Sequence, residues 1–220
     1  MTSPVVIDIY HGDLVTDPSA VKSAGIVGVI HKCTESTGNV DPLYFRRRKT
    51  FTDLGLAWGA YHFFHGNGIA EANAFLSRAE PDGKTLLALD WETTLSGYTP
   101  TALQARVFLE RILEKTGRKA VVYSGHAAKE KIHGRDSFFG SHRLWLAQYG
   151  VQWNCQASWS YPWLWQYRGD FAHQPGLEKC DLNTIVQGTV SGLLSEWVDG
   201  PHGLFTPPLL SGRGSWYSQY

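Results

Sequence analysis

"LLALDWE", residues 86–92, is an apolar run that ends in two carboxylic acids, Asp90 and Glu92. A continuous apolar run with little alternation is typical of a strand that is covered on both faces, as in a parallel sheet. Side chains alternate along a strand, so the two acids point the same way, with Cα atoms about 6.6–6.8 Å apart. Because carboxylates are costly to bury, this pattern predicts a strand whose carboxyl end opens into a polar site.

Similar runs along the chain predict seven further strands. They lie at residues 4–10, 26–32, 57–64, 119–124, 143–149, 162–167 and 180–186. Strand and helix patterns alternate for the first five strands, whereas the last three are joined by segments of weak helical character. The sequence therefore predicts an α/β fold, an irregular TIM-like β/α barrel with eight strands and about five helices.

The clearest helix signal follows the segment at 86–92. Thr99 suits the N-cap, Pro100 the first helical position and Gly117 the position after the end. One apolar stripe runs along it, formed by Ala105, Phe108, Leu109 and Ile112. A second helix is predicted from the stripe Ala72, Phe75, Leu76 and Ala79, and a third from Asp41-Pro42 to before Gly55.

Length and composition favour one domain, a barrel over residues 1–198 with an irregular tail at 199–220 that is rich in Gly, Pro and Ser. Twenty basic residues balance 20 acidic ones, so nothing indicates a nucleic-acid partner. The run Arg46–Lys49 is interpreted as an exposed helix face. The three cysteines lack metal-type spacing, and we expect neither a metal nor a cofactor. We also expect no signal peptide and no membrane insertion.

Two further acids lie at predicted strand ends. Asp8 ends the first strand, in "VVIDIY", and Asp181 opens the last, in "CDLN". The first and last strands of a closed barrel are neighbours, so all four acids are able to face one mouth. Two close carboxylates cannot both ionise freely, and the one that keeps its proton suits general-acid cleavage of a glycosidic bond. The alternative is that Asp8 is a turn residue and Asp181 a strand-end cap.

Nine motifs appear together in the order of a known family: "VIDIYHG", "HKCTES", "DPLYF", "GLAWGAYHFFH", "ALDWE", "VVYSG", "LWLAQYG", "LWQYRG" and "CDLN". Through them, residues 5 to about 187 resemble the family 25 glycoside hydrolases, lysozymes that cleave peptidoglycan between N-acetylmuramic acid and N-acetylglucosamine. The resemblance implies a barrel with a groove across the carboxyl ends of its strands. It also implies Glu92 as the proton donor, Asp90 as the partner that stabilises charge or orients the 2-acetamido group, and Asp8 and Asp181 as further acids of the site.

The resemblance implies substrate-binding residues in the matching strand-end motifs: Tyr61, Tyr123, Trp145, Tyr149, Trp165 and Gln166. Alternate residues of a strand face opposite ways, so only some of them can line the groove. His62 is interpreted as a structural histidine. The family is generally described as retaining, with either an aspartate or the acetamido oxygen as the nucleophile.

Two other functions remain open from the sequence. One is a non-catalytic barrel that binds peptidoglycan or another saccharide. The other is a metal-dependent hydrolase built from His11, His31, His62, Asp90 and Asp181. For a lysozyme we expect a monomer that acts on the cell wall after release by a holin or a secretion system. Its role is then that of a phage or prophage endolysin, or of a secreted antibacterial effector with an immunity protein as partner.

Overall fold

The structure, a computed structural model, describes residues 3–198, and the predicted tail at 199–220 lies outside the described residues. Within this range the chain forms nine strands and seven helices. The strands are β1 (Val6–Ile9), β2 (Gly28–Glu35), β3 (Asn39–Val40), β4 (Ala57–Phe63), β5 (Leu86–Asp90), β6 (Val121–Ser124), β7 (Leu144–Ala147), β8 (Leu164–Gln174) and β9 (Leu177–Thr184).

The helices vary from four to 15 residues. They are α1 (Pro18–Ser23), α2 (Tyr44–Asp53), α3 (Gly68–Ala79), α4 (Ala102–Thr116), α5 (His126–Lys131), α6 (Ser137–Gly140) and α7 (Val190–Ser195). Helices α2, α3 and α4 are the three that the sequence predicts. The other four span six residues or fewer, too few to show a periodic apolar stripe. Over residues 3–198, none of the helices combines the length and the apolar character needed to cross a membrane.

Eight strands close into a barrel, which confirms the predicted fold class. Strand β1 pairs with β2 on one side and with β9 on the other, and the remaining neighbours follow in the order β4, β5, β6, β7 and β8. The short β3 extends the sheet beside β2 and is not part of the closed ring. The barrel brings the carboxyl ends of its parallel strands to one mouth.

The last strand corrects the prediction, because β9 runs antiparallel to both β8 and β1. The two strands form a hairpin through Pro175 and Gly176, and Gly176 has a φ of +83°. Proline followed by a residue of positive φ is the pattern of a type II turn. As a result β9 begins at Leu177, so Asp181 lies inside the strand and does not open it as predicted.

The start of α4 also differs from the prediction, since the N-cap is Thr101 and not Thr99. The Thr101 hydroxyl accepts from the backbone N–H of Gln104, whose side chain accepts from the backbone N–H of Thr101. This capping box satisfies two backbone donors, and Pro100 therefore precedes the helix. The end of the helix is as predicted, because Gly117 adopts the left-handed conformation with a φ of +69°.

The run Arg46–Lys49 is not simply an exposed face. Arg47 is buried, and its guanidinium donates to the backbone carbonyls of Tyr10 and Asp13 at 2.6 and 2.5 Å. It also donates to Nε2 of His31 at 3.2 Å, while Nδ1 of that ring donates to the Lys32 carbonyl at 2.6 Å. Arg47 thereby ties α2 to the loop that follows β1.

The core has two layers, because side chains alternate between the two faces of the barrel wall. The interior is filled by Val6, Ile30, Leu86, Ala88, Val121, Trp145 and Leu164. The outer layer packs the wall against the helices, with Phe75 of α3 and Phe108 of α4 among its largest members. The filled interior means that polar groups at the mouth rest on an apolar floor.

His142 makes stability depend on pH. It is buried, its Nδ1 donates to the Ala120 carbonyl at 2.9 Å, and burial lowers its pKa to about 4. The unfolded chain binds this proton near pH 6.5, so the free energy of unfolding is expected to fall as pH drops from 6.5 to 4. Urea denaturation at several pH values measures this dependence. The free energy of unfolding should change less steeply with pH in His142→Gln than in the wild type. The exposed His126→Gln should keep the wild-type slope, and an unchanged slope in His142→Gln would contradict this account.

Candidate active site

Three side chains form one hydrogen-bonded group at the mouth. Asp8 of β1 lies directly opposite Asp181 of β9 in the antiparallel register. The Gln166 amide of β8 donates to both carboxylate oxygens of Asp8, at 3.1 and 3.0 Å, and to Oδ2 of Asp181 at 3.1 Å. The predicted residues Asp8, Gln166 and Asp181 are thus brought together by the antiparallel last strand.

The sequence prediction missed Asn183, which belongs to the same group. Its amide donates to Asp8 at 2.7 Å, and its oxygen accepts from Trp145 Nε1 at 2.6 Å. Asn183 follows Asp181 by two residues, and the D-x-N spacing in a strand places both on one face. That spacing was the available signal for this residue.

Asp8 is held in conditions that favour its protonated form. Burial raises the pKa of this carboxyl well above its usual range, and the negative charge of Asp181 raises it further. The amides of Asn183 and Gln166 lower the pKa of Asp8, because they donate hydrogen bonds to its carboxylate. The two amides therefore offset part of the cost of burying this acid.

Asp90 ends β5, and Glu92 follows it beyond the strand end. Asp90 is 6% exposed, and its Oδ1 is buried without a hydrogen-bond partner among the described residues. Burial raises the pKa of Asp90 well above its usual range, and the negative charges of Glu92 and Asp8 raise it further. The positive charge of Lys32 lowers it, but does not offset these effects. The charge of Glu92 therefore opposes the ionisation of Asp90, and the half-buried Glu92 is the more accessible of the two acids.

Two tyrosines and a tryptophan lie against these acids. The Tyr123 hydroxyl donates to Gln166 Oε1 at 2.9 Å. Burial raises the pKa of both Tyr61 and Tyr123. The charge of Asp90 raises the pKa of Tyr61 further, and the charge of Glu92 does the same for Tyr123. Both hydroxyls therefore remain neutral hydrogen-bond donors. The buried ring of Trp145 contacts both, with centroids 6.4 Å from Tyr61 and 4.5 Å from Tyr123. This tryptophan forms part of the floor beneath the acids.

The other two aromatic candidates lie in different surroundings. Tyr149 follows β7 and is 55% exposed. The Tyr149 hydroxyl and Asp181 Oδ1 both lie against Gly169: a Cβ atom added to this glycine would be 2.1 Å from the hydroxyl and 2.9 Å from the carboxylate oxygen. Tyr149 therefore lies beside Asp181. Trp165 is 4% exposed in the outer core layer and donates through Nε1 to the Gln148 carbonyl at 2.7 Å. The structure therefore brings Tyr149 to the mouth and turns Trp165 away from it.

The three histidines considered as metal ligands are not brought together. His62 contacts Thr34 Oγ1 and Glu71 Oε2, each at 2.8 Å, on the outer side of the wall. His31 contacts Arg47, and His11 contacts Asp41 at 2.9 Å. Among the side chains that the structure describes, no three from His, Cys, Asp or Glu are grouped so that they could hold a metal ion. The histidines instead support the loops and helices around the barrel.

Solved structures of similar fold include several enzymes. A bacterial lysozyme from Streptomyces coelicolor superposes with a TM-score of 0.81 and 27% identity, covering 90% of this chain and 98% of the other. A muramidase from Trichobolus zukalii superposes with a TM-score of 0.76 and 25% identity, covering 87% of this chain and 97% of the other. The CTP1L endolysin superposes with a TM-score of 0.69 and 27% identity, covering 87% of this chain and 69% of the other.

Sequence comparisons agree with these structures. Lysozyme M1 of Streptomyces globisporus is 29% identical over 177 residues, and the autolytic lysozyme of Clostridium acetobutylicum is 31% identical over 151 residues. These matches cover 73% and 66% of this chain but span only 60% and 45% of the length of the two relatives. The family model described as "Glycosyl hydrolases family 25" matches residues 7–174. The chain therefore belongs to glycosyl hydrolase family 25.

Proposed function

We propose that this protein is a lysozyme, an N-acetylmuramidase that hydrolyses the β-1,4 bond between N-acetylmuramic acid and N-acetylglucosamine in peptidoglycan. The observation that carries the proposal is the coupling of four acids at one mouth. The charge of Asp181 raises the pKa of Asp8, and the charges of Glu92 and Asp8 raise the pKa of Asp90. A saccharide-binding barrel without catalysis has no need for such a costly cluster.

Glu92 is the proposed proton donor to the leaving glycosidic oxygen. It is more accessible than Asp90, and its carboxyl is close enough to that acid to act on its ionisation. Asp90 as an anion stabilises the oxocarbenium-like charge that develops on the sugar, or orients its 2-acetamido group. Asp8 and Asp181, held by Gln166, complete the acidic wall of the proposed groove.

Tyr61, Tyr123 and Tyr149 are the proposed sugar contacts. Two of them present neutral hydroxyls toward the acids, and the third lies beside Asp181 at the exposed rim. Gln166 and Trp145 support this wall from below. Trp165 is not included, because its ring packs in the outer core layer.

The proposed stereochemical outcome is retention. The nucleophile is then either Asp90 or the acetamido oxygen of the substrate, which Asp90 would orient. Proton NMR of the first products from a soluble glycan fragment distinguishes the outcomes. A β-anomer as the initial reducing end supports retention, and an α-anomer would contradict it.

Hydrolysis itself is tested on purified peptidoglycan. The protein is expected to clear a peptidoglycan suspension and to release reducing sugar, and mass spectrometry should find N-acetylmuramic acid at the new reducing ends. N-acetylglucosamine at the new reducing ends would instead show that the enzyme is a glucosaminidase and not a muramidase. Binding to peptidoglycan without release of reducing sugar would favour the non-catalytic barrel.

For the biological role we propose a monomeric enzyme that reaches the cell wall by a holin or a secretion system, as a phage or prophage endolysin or as a secreted antibacterial effector. The CTP1L neighbour is itself named an endolysin, which supports the first role. A holin gene beside the gene for this chain would favour the endolysin. A neighbouring gene whose product binds and inhibits the enzyme would favour the effector and its immunity protein.

A further inference from the structure

A cavity lies at the end of the barrel opposite to the acids. Three of its walls come from segments just before the parallel strands, with Lys119 before β6, Arg143 before β7 and Trp163 before β8. The antiparallel β9 leaves the barrel at this same end, and the segment after it, with Gln187 and Thr189, forms the remaining side. The volume of the cavity is about 1000 Å³, at the upper end of the range of natural ligand sites.

The connection between β7 and β8 builds the aromatic wall of this cavity. The two strands are parallel, so residues 148–163 run from the mouth back to the opposite end, and they contain neither a helix nor a strand. Three rings from the last part of this connection line the cavity, those of Trp159, Tyr161 and Trp163. The aromatic residues of "SWSYPW", residues 158–163, thus share one surface.

Contacts with the barrel hold two of these rings in place. Trp159 is 8% exposed, and its Nε1 donates to the His142 carbonyl at 2.8 Å. The Arg143 guanidinium lies 4.8 Å from the centroid of the Trp163 ring in a cation–π contact, and it also donates to the Glu196 carbonyl. Rings that are fixed in advance lose little conformational entropy when a ligand binds.

The lining suits an uncharged ligand that is rich in hydroxyl groups. Aromatic rings present apolar faces to a sugar ring, and polar side chains bind its hydroxyls. Such polar side chains line the cavity: Ser141, Ser158, Ser160, Gln187 and Thr189. The cations are engaged with the protein itself, since Lys119 donates to a backbone carbonyl at 3.2 Å and Arg143 to others. Glu196 also lines the cavity, and its charge would oppose an anionic ligand.

One donor in the aromatic wall lacks an acceptor. Nε1 of Trp163 is buried and has no hydrogen-bond partner among the described residues. A buried N–H group without an acceptor costs free energy, and a ligand oxygen that reaches it removes this cost. Trp163 therefore offers a sugar a hydrogen-bond donor as well as an apolar ring.

We propose that this cavity is a second, non-catalytic glycan-binding site, which holds one strand of peptidoglycan while the acids at the mouth act on another. The choice of peptidoglycan among saccharides rests on the proposed lysozyme activity. Because the two sites lie at opposite ends of the barrel, a short fragment cannot occupy both, whereas a wall of many strands can. The second site therefore raises the effective concentration of the enzyme on the insoluble wall.

Indole signals in ¹H–¹⁵N NMR spectra report directly on the cavity. The probe is the soluble tetrasaccharide of alternating N-acetylglucosamine and N-acetylmuramic acid, added to Glu92→Gln so that it is not cleaved. The Nε1–H signals, assigned with Trp159→Phe and Trp163→Phe, should shift and saturate. Tyr161→Ala should weaken this binding by about fivefold or more, as for the loss of an aromatic anchor, whereas Tyr161→Phe keeps the ring and should bind nearly as the Glu92→Gln parent does.

The active enzyme separates the cavity from the mouth. Tyr161→Ala should pellet less with insoluble peptidoglycan and clear it more slowly, yet cleave the soluble tetrasaccharide at the wild-type rate. Tyr149→Ala removes a proposed sugar contact at the mouth and should slow both reactions. Phe45→Ala removes an exposed ring on α2, outside the cavity, and should change neither.

Four results would overturn the inference. They are indole signals of Trp159 and Trp163 that the tetrasaccharide does not move, whatever covers the cavity; shifts that are the same in Tyr161→Ala; equal pelleting of Tyr161→Ala and the wild type; and shifts that follow protein concentration and not sugar, which would indicate contact between two copies of the chain. Should Tyr161→Ala not fold, as judged by circular dichroism, the titration of the Glu92→Gln parent decides the question.

The same measurements separate this inference from the proposed function. If the wild type releases no reducing sugar but the indole signals saturate and depend on Tyr161, the lysozyme proposal fails and the second site stands. If the enzyme is active and the indole signals do not move, the inference on the cavity fails alone.

Discussion

Replacing Glu92 with glutamine is expected to abolish the cleavage of peptidoglycan, with a loss of roughly a hundredfold or more, the range for removal of a general acid. The amide has nearly the same shape as the carboxyl but cannot deliver a proton to the leaving oxygen. Glu92 lies beyond the end of β5 and is half-buried, so the change should leave the fold intact. Release of reducing sugar from purified peptidoglycan measures the effect.

A matched control is available on the surface of the same domain. Glu110 is an exposed glutamate on α4, and Glu110→Gln should retain wild-type activity. Equal thermal unfolding temperatures for the two variants and the wild type would show that the loss is chemical. Retention of more than a few per cent of activity in Glu92→Gln would count against Glu92 as the proton donor.

The largest expected effect on stability comes from Glu71. This helix residue is 1% exposed, and its carboxylate accepts from His62 Nε2 at 2.8 Å and from the backbone N–H groups of His65 and Asn67 at 2.8 and 2.6 Å. Burial lowers the pKa of His62, so its contact with Glu71 is a hydrogen bond from a neutral ring. Glu71→Ala leaves these three donors without their acceptor and should cost about 3 kcal/mol or more.

Urea denaturation measures this change, with Glu114→Ala as the control. Glu114 is an exposed helix glutamate that pairs with Arg111 at 2.7 Å, and its loss should be close to neutral. The hydrogen bonds of Glu71 hold its pKa below the usual range against the opposing effect of burial. The contribution of Glu71 to the free energy of unfolding is therefore present above about pH 4.5, and it is lost as the pH falls through the folded-state pKa of this carboxyl. A penalty for Glu71→Ala below about 1 kcal/mol at pH 7 would contradict this account.

Much of the barrel was predictable because its strands are short apolar runs with clear boundaries. The segment at 86–92 indicated both a buried strand and an acidic strand end, and β5 with Asp90 agrees with both. Apolar stripes located α3 and α4 because those helices are long enough to show a period. The sequence could propose Asp8, Asp90 and Asp181 for the site because a carboxylate beside an apolar run is rare unless it has a role.

The features that were missed depend on contacts between distant segments. The direction of β9 follows from the Pro175-Gly176 turn, a local signal that was present in the sequence but not used. The burial of Arg47 depends on carbonyls of a loop more than 30 residues away, which no local pattern reveals.

The closing pairs of the barrel set a lower limit on the length of a working fragment. Strand β9 joins β8 to β1 through residues 177–184, yet the family match ends at residue 174. A chain cut at that boundary would lose Asp181 and Asn183 and would expose the backbone edges of two strands. Such open edges recruit other chains, so the shortened protein should aggregate instead of folding as a smaller enzyme.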